Sequence, residues 1–330
     1  MARRAIISDI HSNLLALEAV LADIRTQNVD GIVCLGDICG YGPQPIECIE
    51  LVRGAAMWTL MGNHDEALFV DPKDFGKNAR LAVEWQKRIL EPPLESTQVQ
   101  EDRWFWLQNL QPRRVEDNVL FVHASPREPL YEYVLREDFL DEGMGPSEKA
   151  KELFAATEWL CFCGHSHRPG VVSEDYRWYR PEELTAGTHI LKRGQKTIVN
   201  VGSVGQPRDA ITAACYCIFD LTEPADLLQT VQTPAPRLAE QPPELVKTQR
   251  VSMPGQNTGD APEALPQEEI GSQDDTRTTA ELQKARETVM LSLPRVTFRR
   301  VAYDVAAEQE RFRAVPDLPE HNAARLGRGL

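Results

Sequence analysis

Within the first 65 residues, short apolar runs alternate with stretches of helical periodicity, and each run gives way to aspartate, asparagine or histidine. Ala5 to Ser8 reads as a buried strand. Leu14, Leu17, Val20, Leu21 and Ile24 then recur at helical spacing, with Ser12 or Asn13 as N-cap. Gly31 to Leu35 is a second strand, Pro45 to Val52 a helix with proline in its first turn, and Met57 to Met61 a third strand. Strand–helix–strand–helix–strand requires parallel pairing through right-handed crossovers, which places the chain in the α/β class.

Further along, residues 66 to 118 read as helical, with Leu81, Trp85 and Ile89 on one face of one helix and Trp104, Phe105, Trp106, Leu107 and Leu110 crowding another. The tryptophans are expected in the core. Strand signals return at Val119 to Val122 and Leu160 to Cys163, then at Gly170 to Ser173, Tyr176 to Tyr179, His189 to Leu191, Thr197 to Val201 and Ala213 to Leu221. Lys192 to Gln195 reads as a hairpin turn between the strands on either side of it. Residues 223 to 293 hold 8 of the 23 prolines, none of the aromatic residues, 12 acidic and 6 basic side chains. Such a stretch has little with which to offset the entropy of ordering and is expected to be mostly disordered, with a short helix around Thr279 to Met290. Order resumes at Arg295, where an alternating segment is expected to pair with Ala213 to Leu221. The domain is therefore expected to comprise 1–222 and 294–330, with 223–293 as an insertion in a hairpin; loop closure cost rises slowly enough with length to permit this.

Five of the seven histidines follow directly on predicted strands, in the clusters Asp9-Ile10-His11, Gly36-Asp37, Gly62-Asn63-His64-Asp65, His123-Ala124-Ser125 and Gly164-His165-Ser166-His167. Sites in open α/β sheets form outside the carboxyl ends of the strands, so all five can converge. Carboxylate, imidazole and amide oxygen together suit Mn, Fe or Zn better than Ca or Mg. Seven candidate ligands are too many for one tetrahedral ion and suit two ions sharing a carboxylate.

The same clusters resemble the calcineurin-like metallophosphoesterase superfamily over residues 5 to about 221 and the closing strand near 295 to 305. The segments Gly36 to Pro43, Ser125-Pro126-Arg127 and Asn200 to Arg208 are similar to a prokaryotic branch related to diadenosine tetraphosphatases and small phosphodiesterases. The resemblance implies a four-layer α/β sandwich, two mixed sheets flanked by helices. It implies that Asp9, His11 and His167 hold one metal, that Asn63, His123 and His165 hold the other, and that Asp37 bridges them. It further implies that a metal-bridging hydroxide attacks phosphorus while His64, oriented by Asp65, protonates the leaving oxygen. Protein phosphatases and true dinucleoside tetraphosphatases of the superfamily carry Glu where Asp65 stands. They also carry a Gly-Asp-x-x-Asp-Arg-Gly segment whose second Asp and Arg have no match here. Arg127 and Arg208 are candidate phosphate contacts, since a guanidinium fork matches phosphate oxygens, and Tyr41 is a candidate pocket residue. His189 and His321 fit no motif.

The expected function is thus a phosphoesterase with two divalent ions, manganese favoured, acting on phosphate mono- or diesters of small molecules such as nucleotides. Alternatives are a protein serine/threonine phosphatase and a non-catalytic metal-binding scaffold that uses residues 223–293 to hold a protein partner. The net charge of -14 argues against a nucleic-acid partner. No apolar run approaches 18 residues, and the one after the basic start ends at Asp9, so neither a membrane span nor a signal peptide is expected. Seven cysteines set in apolar runs suggest reduced thiols in the cytoplasm.

Overall fold

The N-terminal alternation becomes β1 (Arg3–Ile7), α1 (Leu14–Ile24), β2 (Gly31–Cys34), α2 (Pro45–Ala55) and β3 (Ala56–Thr59), and the three strands pair in parallel. Asn13 caps α1, its side-chain oxygen accepting from the Ala16 amide at 3.0 Å. The computed structural model describes residues 3–73, 75–139, 145–221 and 293–330. The sequence expectations for 223–293, save for Leu293 itself, lie outside the described residues.

The remaining elements are α3 (Asn63–Glu66), α4 (Lys77–Leu90), α5 (Gln98–Gln108), β4 (Arg113–Glu116), β5 (Val119–Val122), α6 (Glu148–Ala155), β6 (Leu160–Cys163), β7 (Gly170–Ser173) and β8 (Trp178–Tyr179). They are followed by β9 (Thr188–Ile190), β10 (Thr197–Asn200), β11 (Ala214–Asp220), β12 (Arg295–Val301), α7 (Val305–Arg313) and α8 (Glu320–Leu326). The strands form two six-stranded mixed sheets, ordered β3-β2-β1-β11-β12-β9 and β4-β5-β6-β10-β7-β8.

The two-residue period of each strand divides its side chains between two cores. Ile6, Val33 and Leu35 pack with Phe121, Phe162 and Val199 between the sheets. Their alternates Ala5, Ile7 and Cys34 pack under α1 and α2, while Val122, Cys161 and Ile198 pack against Leu153 and Phe154 of α6. Helix, sheet, sheet and helix are the four layers. Fully burying one such Phe stabilises the fold by roughly 1.5–3 kcal/mol. All seven cysteines are buried free thiols.

Four features of the fold refine the sequence reading, and the first and the last of them correct it. First, Lys192 to Gln195 is no hairpin turn: β9 pairs with β12 in the first sheet and β10 with β6 and β7 in the second, so this segment crosses between sheets. Short-range turn chemistry cannot distinguish these two outcomes. Second, α4 turns Ala82, Val83, Gln86 and Leu90 inward, leaving Leu81 and Ile89 each 39% exposed. That rotation brings Gln86 beneath the loop at residues 40–42, where its carbonyl accepts from Gly40 N at 2.6 Å and its amide donates to Gly42 O at 2.7 Å. Third, Phe105 is exposed on α5, while Trp104 and Trp106 pack on the core as expected. Fourth, Arg113–Glu116, within the stretch read as helical, is a strand paired with β5.

Candidate metal centre and active site

Strands β1, β2, β3, β5 and β6 deliver their following residues to one region, and the backbone there is strained. Asp9, His11, Asp37, His165 and His167 all have positive φ, between 48° and 61°. Non-glycine residues rarely adopt this left-handed conformation, and each instance costs on the order of 1–3 kcal/mol that surrounding structure must offset. Here main-chain bonds hold it: Asp9 N donates to Gly36 O at 3.0 Å, and Ile10 N and His11 N both donate to Asp37 O. From the other sheet, Gly205 N and Ser203 Oγ both donate to Asp9 O, at 2.9 and 2.8 Å. Asn200 donates to Gly164 O and Ser166 Oγ, fixing the loop that carries His165 and His167.

The turns bring together two overlapping groups of buried donors, Asp9–His11–Asp37–His167 and Asp37–His123–His165, each with its ligand atoms within 4.8 Å of one another. Asp37 belongs to both. Asn63 Oδ1 lies 3.1 Å from His123 Nε2, which is 3.4 Å from Asp37 Oδ2. The tautomers follow from the outer partners. Nδ1 of His11, His123 and His167 reaches the carbonyl oxygens of Cys39, Leu35 and Gln206, at 2.8, 3.1 and 2.5 Å. A protonated Nδ1 in each leaves the Nε2 lone pair facing the centre. His11 Nε2 and His167 Nε2 then stand 3.1 Å apart as two acceptors, beside Asp9 Oδ1 at 3.2 Å from His167. Lone pairs and carboxylates facing one another at this distance call for a cation. His165 is reversed, its Nε2 directed to Tyr131 O at 3.1 Å.

The charges fit the same conclusion. Burial holds His11 and His167 well below the usual imidazole range and lowers His165 to about 3, so all three are neutral, as metal ligands must be. Burial acts against the Asp37 carboxylate, but His123 and His64 outweigh it and keep Asp37 ionised. Burial likewise acts against charge on His123, but the Asp37 carboxylate overrides it and raises the ring to about 9, so in the metal-free chain His123 carries a second proton, which a cation bound at its Nε2 would displace. The donor set therefore fits divalent metal ions.

His64 stands outside both donor groups. Its amide donates to Asp37 Oδ1 at 2.8 Å, and burial lowers its ring to about 4. Its buried Nδ1 has no hydrogen-bond partner. Asp65, expected to orient His64, instead accepts from Cys39 N at 3.0 Å and Gly62 N at 3.1 Å. These two amides occupy both of its oxygens, so Asp65 fastens the Asp37 loop to the start of α3. The Tyr41 ring lies tilted 4.6 Å from His64 and edge-on 4.8 Å from His11, and its hydroxyl accepts from Arg208 at 3.2 Å. Arg127 is drawn away: it pairs with Glu132 and Glu152 and is absent from the cavity beside the centre. That cavity, about 320 Å³, is lined by Tyr41, Asn63, His64, Phe75, Tyr131, Tyr133 and His165, among others.

Comparison with known proteins settles the lineage. A family model described as "Calcineurin-like phosphoesterase superfamily domain" matches residues 3–224. The chain belongs to the calcineurin-like phosphoesterase superfamily. A curated relative of this phosphoesterase, "Uncharacterized protein MJ0912" of Methanocaldococcus jannaschii, is 38% identical over 224 residues, 66% of this chain and 82% of the relative. A metallophosphoesterase from Sphaerobacter thermophilus shares 29% identity at a TM-score of 0.63, covering 100% of this chain and 99% of the other. Hypothetical protein PH1004 from Pyrococcus horikoshii OT3 has the same fold at 15% identity and a TM-score of 0.59, again over 100% and 99%. No helix among the described residues is long and apolar enough to cross a membrane.

The candidate site thus gathers all seven sequence-predicted ligands with His64 and Tyr41, and Arg208 reaches it through Tyr41. Sequence reasoning missed Gln86, Phe75, Tyr131, Tyr133 and Arg325. None carries a motif: each arrives from a loop or helix whose place is set by tertiary packing. Arg325, on α8, lies 6.0 Å from the Tyr41 ring.

Proposed function

We propose that this protein hydrolyses esters of phosphate in small molecules, using two divalent metal ions. Asp9, His11 and His167 would hold one ion, Asn63, His123 and His165 the other, with Asp37 shared. The observation that carries this reading is the pair of buried donor groups meeting at Asp37 beside His64. Bound there, the ions would supply Lewis-acid stabilisation of phosphoryl charge and a water of lowered pKa. Nitrogen and oxygen donors of this kind suit Mn, Fe or Zn, and manganese is the favoured choice.

The chain's own residues do the rest. Arg208 offers a guanidinium to phosphate oxygens from its seat on the Tyr41 hydroxyl. His64 is neutral until substrate arrives. The negative phosphate then favours its protonated form, and the ring passes that proton to the leaving oxygen. The aromatic walls of Tyr41, Phe75 and Tyr133 suit a flat leaving group such as a nucleoside or a phenol. The net charge of -14 supports a small substrate over nucleic acid, and the buried free thiols support a reducing, cytoplasmic setting.

The test compares bis-p-nitrophenyl phosphate with p-nitrophenyl phosphate, with Mn²⁺ and after chelation. Metal-dependent cleavage of either is expected; faster turnover of the diester assigns phosphodiesterase activity, faster turnover of the monoester assigns phosphatase activity. Cleavage of neither, with metals bound, would overturn the reading in favour of the scaffold.

A further inference from the structure

Two arginines converge on one phenol at the edge of the cavity. The Arg208 guanidinium carbon lies 5.6 Å from the Tyr41 ring centroid, and that of Arg325 lies 6.0 Å from the same ring. Arg208 reaches this point from the loop after β10, and Arg325 from α8, well beyond the residues 3–224 matched by the family. A main-chain bond joins the two segments, Ala210 N donating to Gly329 O at 2.9 Å, so the placement of α8 beside the Arg208 loop is built in.

Neither guanidinium has an Asp or Glu partner among the described residues. Arg208 donates to Gln206 Oε1 at 2.8 Å and to Tyr41, and Arg325 Nε donates to Leu330 O at 2.7 Å. Three other part-buried arginines of this acidic chain are paired: Arg299 with Asp23, Arg300 with Asp209, Arg103 with Glu50. Burial, and after it the like charge of Arg208, pulls Arg325 below the usual guanidinium range. Two half-buried guanidiniums held against one ring with no Asp or Glu beside them, and with Nη groups left over, are what a doubly anionic ligand would engage.

The two differ in reach. Arg208 acts electrostatically on His64 and His167, at the centre itself. The groups that act on Arg325 are Arg208, Tyr41 and Tyr133, on the cavity rim. We propose that Arg325 binds a second anionic group of the substrate, adjoining the phosphate that Arg208 and His64 engage, and so selects phosphoesters carrying two linked anions over those carrying one. This rests on the phosphoesterase reading above.

The experiment measures competitive inhibition of bis-p-nitrophenyl phosphate hydrolysis by AMP and by ADP, at fixed free Mn²⁺, using the full chain. In the wild type ADP should bind about tenfold tighter than AMP, the worth of one charge-assisted contact. Arg325→Gln should bring the ratio close to one, and Arg325→Lys should recover part of it. The ratio does not depend on how much of the variant is folded. A ratio unchanged in Arg325→Gln, or no ADP preference in the wild type, overturns the proposal. If the wild type cleaves nothing, the phosphoesterase reading fails by itself; calorimetric titration of the metal-loaded chain with the two nucleotides then gives the same ratio and decides Arg325 separately.

Discussion

Gly62→Ala tests the geometry of Asp37 without replacing any donor side chain. Gly62 has φ -93° and ψ 168°, angles that alanine accepts, so the substitution introduces no backbone strain of its own. Its cost is space. A Cβ at Gly62 would lie 2.1 Å from Asp37 Oδ1 and 2.2 Å from Asp37 N, against 3.4 Å for ordinary contact. Both the carboxylate and the amide of Asp37 must therefore give way, by about 1.3 and about 1.2 Å, and the Asp37 carbonyl is already held by two hydrogen bonds, from Ile10 N and His11 N. Displacing a group by about 1 Å in such a site can cost roughly 100-fold in rate. The expected loss in Mn²⁺-dependent kcat/KM is therefore about 100-fold, or about 2.7 kcal/mol. Stability should fall by about 1–3 kcal/mol from overpacking. The assay pairs hydrolysis of bis-p-nitrophenyl phosphate with metal content after dialysis. Gly54→Ala, in α2 with nothing within 4 Å of its added Cβ, is the control. It should keep activity and gain up to about 1 kcal/mol of stability. Metal content and kcat/KM in Gly62→Ala within about threefold of the wild type would refute the argument that Asp37 must occupy one position.

Asp37→Asn should lose both metal retention and turnover, because it removes the shared carboxylate; an active, metal-loaded variant under metal analysis would sink the dimetal reading. His64→Ala should keep the metals and lower kcat by about 100- to 10,000-fold, the range for a general acid, measured at saturating substrate. Glu308 is buried, its nearest cation is Arg311 at 3.9 Å, and burial outweighs that ion pair and raises it from 4.5 to about 7. Between those values the unfolded chain is ionised while the folded chain stays protonated, so stability declines as pH rises through that window and does not recover above it. Glu308→Gln should thus stabilise by up to about 3 kcal/mol at pH 8 and by little at pH 4.5; an equal gain at both in urea unfolding would exclude ionisation as the cause.

What the sequence carries well is short-range. Apolar run, left-handed turn and polar ligand lie within a few residues of one another at Asp9–His11 and His165–His167, so both the strand and the chemistry at its end can be read together. The edge pairing is less legible. β1 meets β11 antiparallel more than 200 residues away, and β9 and β10 separate into different sheets although only six residues lie between them. No periodicity encodes that choice, because a buried strand reads alike in either sheet. The Asp65 bonds illustrate the same limit at the site. A carboxylate next to a histidine suggests an orienting pair, whereas the amides of Cys39 and Gly62 are nearer partners once the two loops meet.

The same division runs through the site's energetics. Five of its seven candidate ligands occupy left-handed backbone, and two imidazole acceptors face each other at 3.1 Å. Neither arrangement favours the metal-free chain, yet both are held by hydrogen bonds arriving from loops of the two sheets: Ser203 and Gly205 on Asp9, Gln206 on His167, Gly36 on the Asp9 amide. The large cores between and outside the sheets are the reservoir that offsets this strain, and they explain why the ligands sit on loops while the stability sits in the strands. It follows that the metal-binding motifs and the substrate pocket answer to different constraints. The motifs must keep their residues within each turn, and are legible one by one. The pocket needs only that Tyr41, Tyr133, Arg208 and Arg325 arrive at the same rim, and the last of these comes from a helix that the core positions without any local signal at all.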